Sequence, residues 1–485
     1  MKQLYRAITT CLGVLASVYM PTTLYAQREA DNWYFGNQAN VTFSGGSPVA
    51  AFNSQLSSYE ACASISDAAG NLVMYSNSEN VWDANHQLMP NGSNLGGHTS
   101  ASQGVLILRH PGNASQYVIF VVDAIDNNLV GGLRYSIVDM SLRGGLGDVV
   151  ASSKAIRLPT PTATGKVTEK LSAALHANGR DYWIIVHGWQ SNNFYSFLLS
   201  TTGISTAPVV SSVGPVHTGG GSFFGAANAV GSMKVSPLGT HLALAERDSR
   251  FELYNFDKAT GSVANYISLP AIGDHYFGVE FSPDNSKLYA STYVDGGFAS
   301  TIYQYNLLQG STGSIGSTQQ TIANIGGLAV GLQKALDNKI YIAAFNTPFL
   351  HAITVPNALG TACGLIQNTV SLGQKMAQVG LPNFPNTFAT AQTLSITSEK
   401  LNEQVTVYPN PAQGAVWVHL PNAFSLEAAE VTIFDAVGKK AFQGKLPRSI
   451  SNEGATVRLP SLPEGVYLLQ IATKVGVISK KLSIQ

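Results

Sequence analysis

A strand–turn–strand unit recurs between residues 30 and 390, and no single motif constrains the fold as much. It reads most clearly as VSPLGTHLALA (235–245), FSPDNSKLYAS (281–291) and LQKALDNKIYIAA (332–344). Each copy is an apolar strand, a polar turn built on Gly or Asn, and a second strand of alternating apolar residues. This is the pattern of a β-hairpin whose turn tolerates positive φ. Weaker copies lie at ASISDAAGNLVMYS (63–76), VLILRHPGNASQYVIFVV (105–122) and LSAALHANGRDYWIIV (171–186). The turn residues Gly70, Asn113, Gly179, Gly239, Asn285 and Asn338 stand between 43 and 66 positions apart. A four-stranded propeller blade takes about 40–50 residues, so the longer intervals carry inserted loops.

Six hairpins leave material at both ends. AQVGLPNF (377–384) reads as a seventh inner strand with no hairpin after it, and NWYFGNQANVTF (32–43) reads as two strand-like runs around Gly36. Joining the two completes a blade and removes free sheet edges. The expectation is an all-β chain: a seven-bladed β-propeller over residues 27–388, a linker over 389–403 and a small β-sandwich over 404–485. Composition agrees, since 12% charged residues with 47 glycines and 21 prolines suit short strands and many turns.

The first 26 residues differ from the rest. Lys2 and Arg6 precede an apolar run from Ile8 to Met20, and Leu24-Tyr25-Ala26 offers a small residue for cleavage, the layout of a secretory signal peptide. The run is shorter than the roughly 20 residues a spanning helix needs, so no transmembrane span is expected. Export leaves Cys62 and Cys363, which in an oxidising compartment are able to pair or to remain buried thiols. Twenty-eight basic residues balance 28 acidic ones with no long run of either sign, which argues against nucleic acid and anionic membrane as partners.

A second β pattern occupies QVTVYPNPAQGAVWVHL (404–420), EVTIFDAVGKKAFQGKL (430–446) and GVYLLQIATKVGVISKKLSIQ (465–485). Each run alternates apolar and polar residues, as a sandwich with one buried face per sheet requires. The segment resembles the type A C-terminal sorting domain of the type IX secretion system. The resemblance rests on Tyr408-Pro409-Asn410-Pro411, Ile433-Phe434-Asp435 with Gly438-Lys439, Leu462-Pro463-Glu464-Gly465-Val466-Tyr467, and Lys480-Lys481-Leu482. It implies sorting residues Pro409, Asn410, Pro411, Gly438, Gly465, Tyr467, Lys480 and Lys481, recognition by an outer-membrane translocon, handling by a sortase, and release or attachment at the cell surface. Residues 31–390 resemble the uncharacterised propeller region of secreted Bacteroidetes proteins through Asn32-Trp33-Tyr34-Phe35-Gly36, Met89-Pro90-Asn91-Gly92, Gly132-Leu133-Arg134-Tyr135 and Gly380-Leu381-Pro382-Asn383-Phe384. Phe281-Ser282-Pro283-Asp284 is similar to YVTN and TolB-type repeats, a pattern shared by propellers of unrelated function.

The chain has no H-E-x-x-H, no C-x-x-C and no G-x-S-x-G, so neither a metal nor a cofactor is expected. His176 and His187 flank one hairpin without a third ligand. Asp123, Asp126 and Asp139 fall in loops of the second blade, where solvated acids are commoner than the paired carboxylates of glycoside hydrolysis. The aromatics of DYWIIVHGWQSNNFYSF (181–197) are expected to pack between blades.

One constellation is positional. Glu60, Gln103, Lys170 and Gln378 each precede an inner strand by a few residues, so a ring brings them to one mouth of the central channel. Propellers commonly present their ligand surface there. The expected function is a secreted, non-enzymatic binding module for a polymer, peptide or surface partner. The alternatives are a hydrolase or lactonase using Glu60 and Lys170 as acid, base or electrophile, and a cell-envelope scaffold.

Overall fold

The structure is a computed structural model that describes residues 28–389 and 406–485, apart from 162–163, 222–224, 295, 297–298, 310–311, 420–429, 436–439, 446–454 and 474–475. The expected signal peptide and all but the first residue of the expected linker lie outside the described residues. No helix among the described residues is long and apolar enough to cross a membrane.

Among the described residues, seven antiparallel sheets follow one another from Asn32 to Ser371, each a meander of neighbouring strands. Four of the five hairpin-bearing sheets from Val105 onward open on a strand that abuts the opening strand of the next. Ser232 N–H, for example, donates to Phe277 C=O at 2.8 Å, and Ser291 Oγ, on the second strand of its sheet, donates to Val330 C=O at 2.8 Å on the opening strand of the next. The chain is therefore a β-propeller, with its opening strands lining a central channel. Burial follows from this arrangement. Middle strands such as Ile340–Ala344 are covered on both faces by neighbouring sheets and are apolar throughout, whereas outer strands such as Leu365–Ser371 expose most of their residues. Apolar clusters fill the spaces between sheets: Ala63, Ile65 and Met74 pack with Val105, Ile107 and Ile119, and Ala243 and Leu253 pack with Val279 and Leu288. Trp183, Trp189, Phe194 and Tyr195 are all buried. Gly70, Gly179, Gly239, Asn285 and Asn338 take the positive φ their hairpins require. Asn113 does not; its Oδ1 accepts from the Ser115 N–H at 3.1 Å and shapes a different turn.

The two ends of the propeller meet. Residues 376–384 run between the strands Ala329–Lys334 and Ala63–Ser66: Asn37 N–H donates to Met376 C=O at 2.8 Å, Val379 N–H to Tyr59 C=O at 3.0 Å, and Asn383 N–H to Cys62 C=O at 3.0 Å. Trp33 is fully buried, with ring centroids 5.8 Å from Tyr341 and 6.1 Å from Phe384. Two details differ from the sequence expectation. The stretch 377–384 is extended chain held by single hydrogen bonds and isolated bridges instead of a ladder strand, and a third strand, Val49–Ala51, follows Asn32–Phe35 and Ala39–Thr42. Glycine makes the close approach possible. A Cβ on Gly331 would lie 2.1 Å from the Val379 carbonyl oxygen, and one on Gly380 would lie 1.8 Å from that of Glu60.

The segment then crosses one end of the channel. Asn383 Nδ2 donates to Leu171 C=O at 2.8 Å, Asn386 Nδ2 donates to Val235 C=O at 2.9 Å and to Glu280 Oε1 at 2.8 Å, and Lys334 Nζ donates to Asn386 C=O at 2.9 Å. Residues late in the chain thus tie four different sheets. Asn386→Ala is expected to lower stability by about 1–3 kcal/mol, because the Val235 carbonyl and the Glu280 carboxylate lose a buried donor. Urea unfolding of the full chain measures it.

The C-terminal residues form two further sheets. One joins Thr406–Tyr408, Ala415–His419 and Ala455–Arg458; the other joins Lys440–Lys445, Glu430–Phe434, Gly465–Thr473 and Gly476–Ile484. Val416, Val418, Val431, Ile433, Leu469, Ile471 and Leu482 form their shared core, with the two-residue spacing of half-buried strands.

Candidate functional site at the channel mouth

The end of the channel away from Asn386 opens into a cavity of about 290 Å³. Tyr59, Glu60, Asp126, Glu169, Arg247 and Tyr293 are among its lining residues, and the remainder of its wall is largely apolar. Further in, the channel narrows between Ser102, Gln103, Lys234, Gln333 and Asn383. That inner section is closed by its own hydrogen bonds: Gln103 Oε1 accepts from Met233 N–H at 2.6 Å, and Lys234 Nζ donates to Gln333 Oε1 at 2.7 Å and to Asn383 Oδ1 at 3.3 Å.

Glu169 is buried and its carboxylate is fully engaged. Oε1 accepts from Ile125 N–H at 2.8 Å, and Oε2 accepts from Ser102 N–H at 3.0 Å and from Ser102 Oγ at 2.9 Å. Glu60 is 8% exposed, and its Oε2 accepts no hydrogen bond. Burial, and then the neighbouring Glu169, holds the Glu60 carboxyl well above the usual carboxylate range. Arg247 Nε donates to Tyr293 Oη at 2.6 Å, with its guanidinium carbon 5.6 Å from the Tyr293 ring centroid. Tyr59, 41% exposed, meets Phe345 edge-on at 5.6 Å on the rim.

Of the four residues expected at the mouth, Glu60 lines the cavity and Gln103 lines the narrow section below it. Lys170 does not reach the mouth. It is fully buried, and its Nζ donates to the carbonyls of Asn228, Ala229 and Val230 at 3.2, 2.9 and 3.1 Å. Strand alternation explains the exchange: Glu169 and Lys170 are consecutive on Val167–Leu175, so only one of them faces the channel. Gln378 is partly exposed and is not among the lining residues. Asp126 reaches the mouth from its loop, whereas Asp123 organises that loop by accepting from Gly131 N–H at 2.7 Å, and Asp139 accepts from Ser141. Arg247 and Tyr293 lie well away from the opening strands in sequence, which hid them.

Two sets of residues carry groups able to ligate a metal. His176 and His187 do not face each other: His187 stacks on His217 at 3.7 Å, and His176 lies against Trp183. His217, Glu246 and Glu252 bring three ligand atoms within 4.8 Å of one another. Several of their polar atoms are already engaged from within the chain. His217 Nε2 is 2.9 Å from Glu252 Oε2, Tyr254 Oη donates to the same oxygen at 2.7 Å, and Arg250 Nε lies 3.2 Å from Glu246 Oε2 and 3.8 Å from Glu252 Oε1. Cys62 and Cys363 are both buried free thiols.

In the C-terminal sheets most of the residues that the sorting-domain resemblance names lie on or beside the last two strands. Asn410 Nδ2 donates to Lys481 C=O at 2.9 Å, and Asn410 Oδ1 accepts from Ser483 N–H at 2.8 Å, which fixes the Pro409–Pro411 turn against Gly476–Ile484. Gly465 opens its strand, Tyr467 Oη donates to Pro463 C=O at 2.8 Å, and Lys480 and Lys481 sit opposite Leu469 and Leu468. Gly438 lies outside the described residues.

No curated protein matches the chain. Among solved structures it is similar to a putative 6-phosphogluconolactonase from Bacteroides uniformis, with a TM-score of 0.40 at 11% identity over 66% of this chain and 91% of the other. It is also similar to the Dos1 propeller, with a TM-score of 0.38 at 9% identity over 63% and 70%, and to the periplasmic gluconolactonase PpgL of Pseudomonas aeruginosa, with a TM-score of 0.35 at 11% identity over 79% and 94%. The tail gives the specific match: residues 406–485 fit the family of the secretion system C-terminal sorting domain.

Proposed function

We propose that this chain is an exported β-propeller that binds a polar extracellular partner at its channel mouth without turning it over, and that its tail sends it through the type IX secretion route to the cell surface or the medium. One observation carries the binding reading. The mouth is an open cavity with carboxyl, guanidinium and aromatic groups converging on it, while the opposite end of the same channel is crossed by residues 383–386. The sorting-domain match at residues 406–485 supports the route. A peptide and glycan array probed with the purified mature chain tests binding; a chain carrying Glu60→Trp, which fills the cavity, is expected to lose the ligand found.

Removing residues 406–485 is expected to leave the propeller folded and to abolish its appearance outside the cell, with the truncated chain accumulating behind the outer membrane. Immunoblotting of fractionated cells reads the result. Surface delivery of the truncated chain would overturn the routing assignment.

A hydrolase reading draws on the Glu60–Glu169 pair: burial raises both carboxyls, but the donors from Ile125 and Ser102 oppose the rise at Glu169, so Glu60 is held further above the usual carboxylate range. Lys170, engaged by three carbonyls, takes no part in it. Turnover of any member of a glycan and lactone panel that Glu60→Gln removes would favour that reading over binding alone.

A further inference from the structure

The cavity at the mouth has a polarity that selects among ligands, and the following rests on reading it as the binding site. Its acidic lining residues, Glu60, Asp126 and Glu169, outnumber the one basic lining residue, Arg247. Arg247 is engaged with Tyr293 and Asp248, and both oxygens of Glu169 are hydrogen-bonded within the chain. Glu60 Oε2, nine-tenths buried and without a donor, is the acceptor left over. A buried carboxyl without a partner is costly, and a cation supplied from outside offsets that cost.

Between this carboxyl and the rim the wall is hydrocarbon: Ile125, Val230, Phe277, Leu328, Val330 and Val379. The rim itself is aromatic, with Tyr59 and Phe345 exposed and Tyr293 beside them. Such an arrangement fits a group with an apolar stem and a cationic head. A sugar amine would press hydroxyls against the hydrocarbon wall. A guanidinium is matched best by two acceptors, whereas an ammonium is a compact charge with donors to spare for one carboxyl. Aromatic faces on the rim favour cations as they enter. We propose that the mouth takes the side chain of a lysine presented by an extracellular polypeptide, its stem against the apolar walls and its ammonium against Glu60.

The test is calorimetric titration of the mature full-length chain with N-acetyl-lysine methylamide, its Nε-acetylated form, the norleucine equivalent and glucosamine. The lysine probe is expected to bind at least about tenfold more tightly than the other three, and Glu60→Gln to weaken it about tenfold or more. Binding is expected to tighten as the pH rises, with a proton released on binding. Burial, Glu169 and Asp126 hold the proton on Glu60, Ser102 and Arg247 oppose them, and the carboxyl must lose that proton to pair with the ammonium. If Glu60→Gln fails to fold, the exposed Asp126→Asn is expected to give a loss of about threefold. Equal affinity for the acetylated probe, a preference for glucosamine, or no binding of the lysine probe overturns the lysine inference while leaving the mouth as the site for whatever array ligand Glu60→Trp abolishes. Array ligands indifferent to Glu60→Trp would remove both.

Discussion

Replacing Gly380 with valine is expected to cost more than about 4 kcal/mol and to prevent accumulation of folded protein at 37 °C, because the new side chain has nowhere to go. Even a lone Cβ at this position lies 1.8 Å from the Glu60 carbonyl oxygen and 2.6 Å from its carbonyl carbon. Both are backbone atoms, held by the Val379 N–H to Tyr59 C=O bond at 3.0 Å, so no rotamer change relieves the contact. Well-packed interiors respond to inserted atoms by shifting backbone, and here the shift would separate the first and last parts of the ring. Comparing thermal unfolding of Gly380→Ala and Gly380→Val with the parent chain measures it. A melting temperature within a few degrees of the parent for Gly380→Val would show that residues 376–384 do not sit between Ala329–Lys334 and Ala63–Ser66.

Lys170→Ala is expected to cost about 3–5 kcal/mol, the range for removing one side of a buried, hydrogen-bonded charge arrangement. Three carbonyls, of Asn228, Ala229 and Val230, each lose their ammonium donor, and the buried carboxyls of Glu169, Glu246 and Glu252 lose a compensating charge. The pH dependence identifies the cause. Burial, opposed by those glutamates, lowers the Lys170 pKa from 10.5 to about 8. Between these two values the unfolded chain binds a proton that the folded chain does not, so this group makes the folded state more stable as the pH rises. The stability advantage of the parent over Lys170→Met is expected to widen between pH 8 and pH 10. Denaturant midpoints for the two proteins at both pH values provide the check, and a constant difference would mean that Lys170 stays charged throughout.

The propeller was legible because its signal is local and repeated. Alternating apolar residues around a Gly or Asn turn depend on strand pleat and φ alone, and five of six turn residues take the conformation that the pattern demands. Ring closure was legible too, since unpaired strand-like runs at both ends have few other partners. The site was read only in part, for a physical reason. Which of two consecutive residues faces a channel depends on strand parity, and the apolar pattern around residues 167–175 does not fix it; the sequence points to Lys170, and Glu169 is the one that faces inward. Arg247, Tyr59 and Tyr293 reach the mouth through packing between sheets that are distant in sequence, which no periodicity records. The crossing of the channel by Asn383 and Asn386 was equally hidden, because an asparagine after a strand ordinarily marks a turn.

The order of the elements along the chain has a consequence for export. Six sheets and the amino-terminal strands precede residues 376–386 in sequence, so a chain ended before these residues lacks the segment that closes the ring and crosses its channel. The segment that closes the gap is followed in sequence by the sorting tail at residues 406–485. A molecule that carries the address label therefore also carries the residues needed to shut itself, and a product ended before residue 376 lacks both.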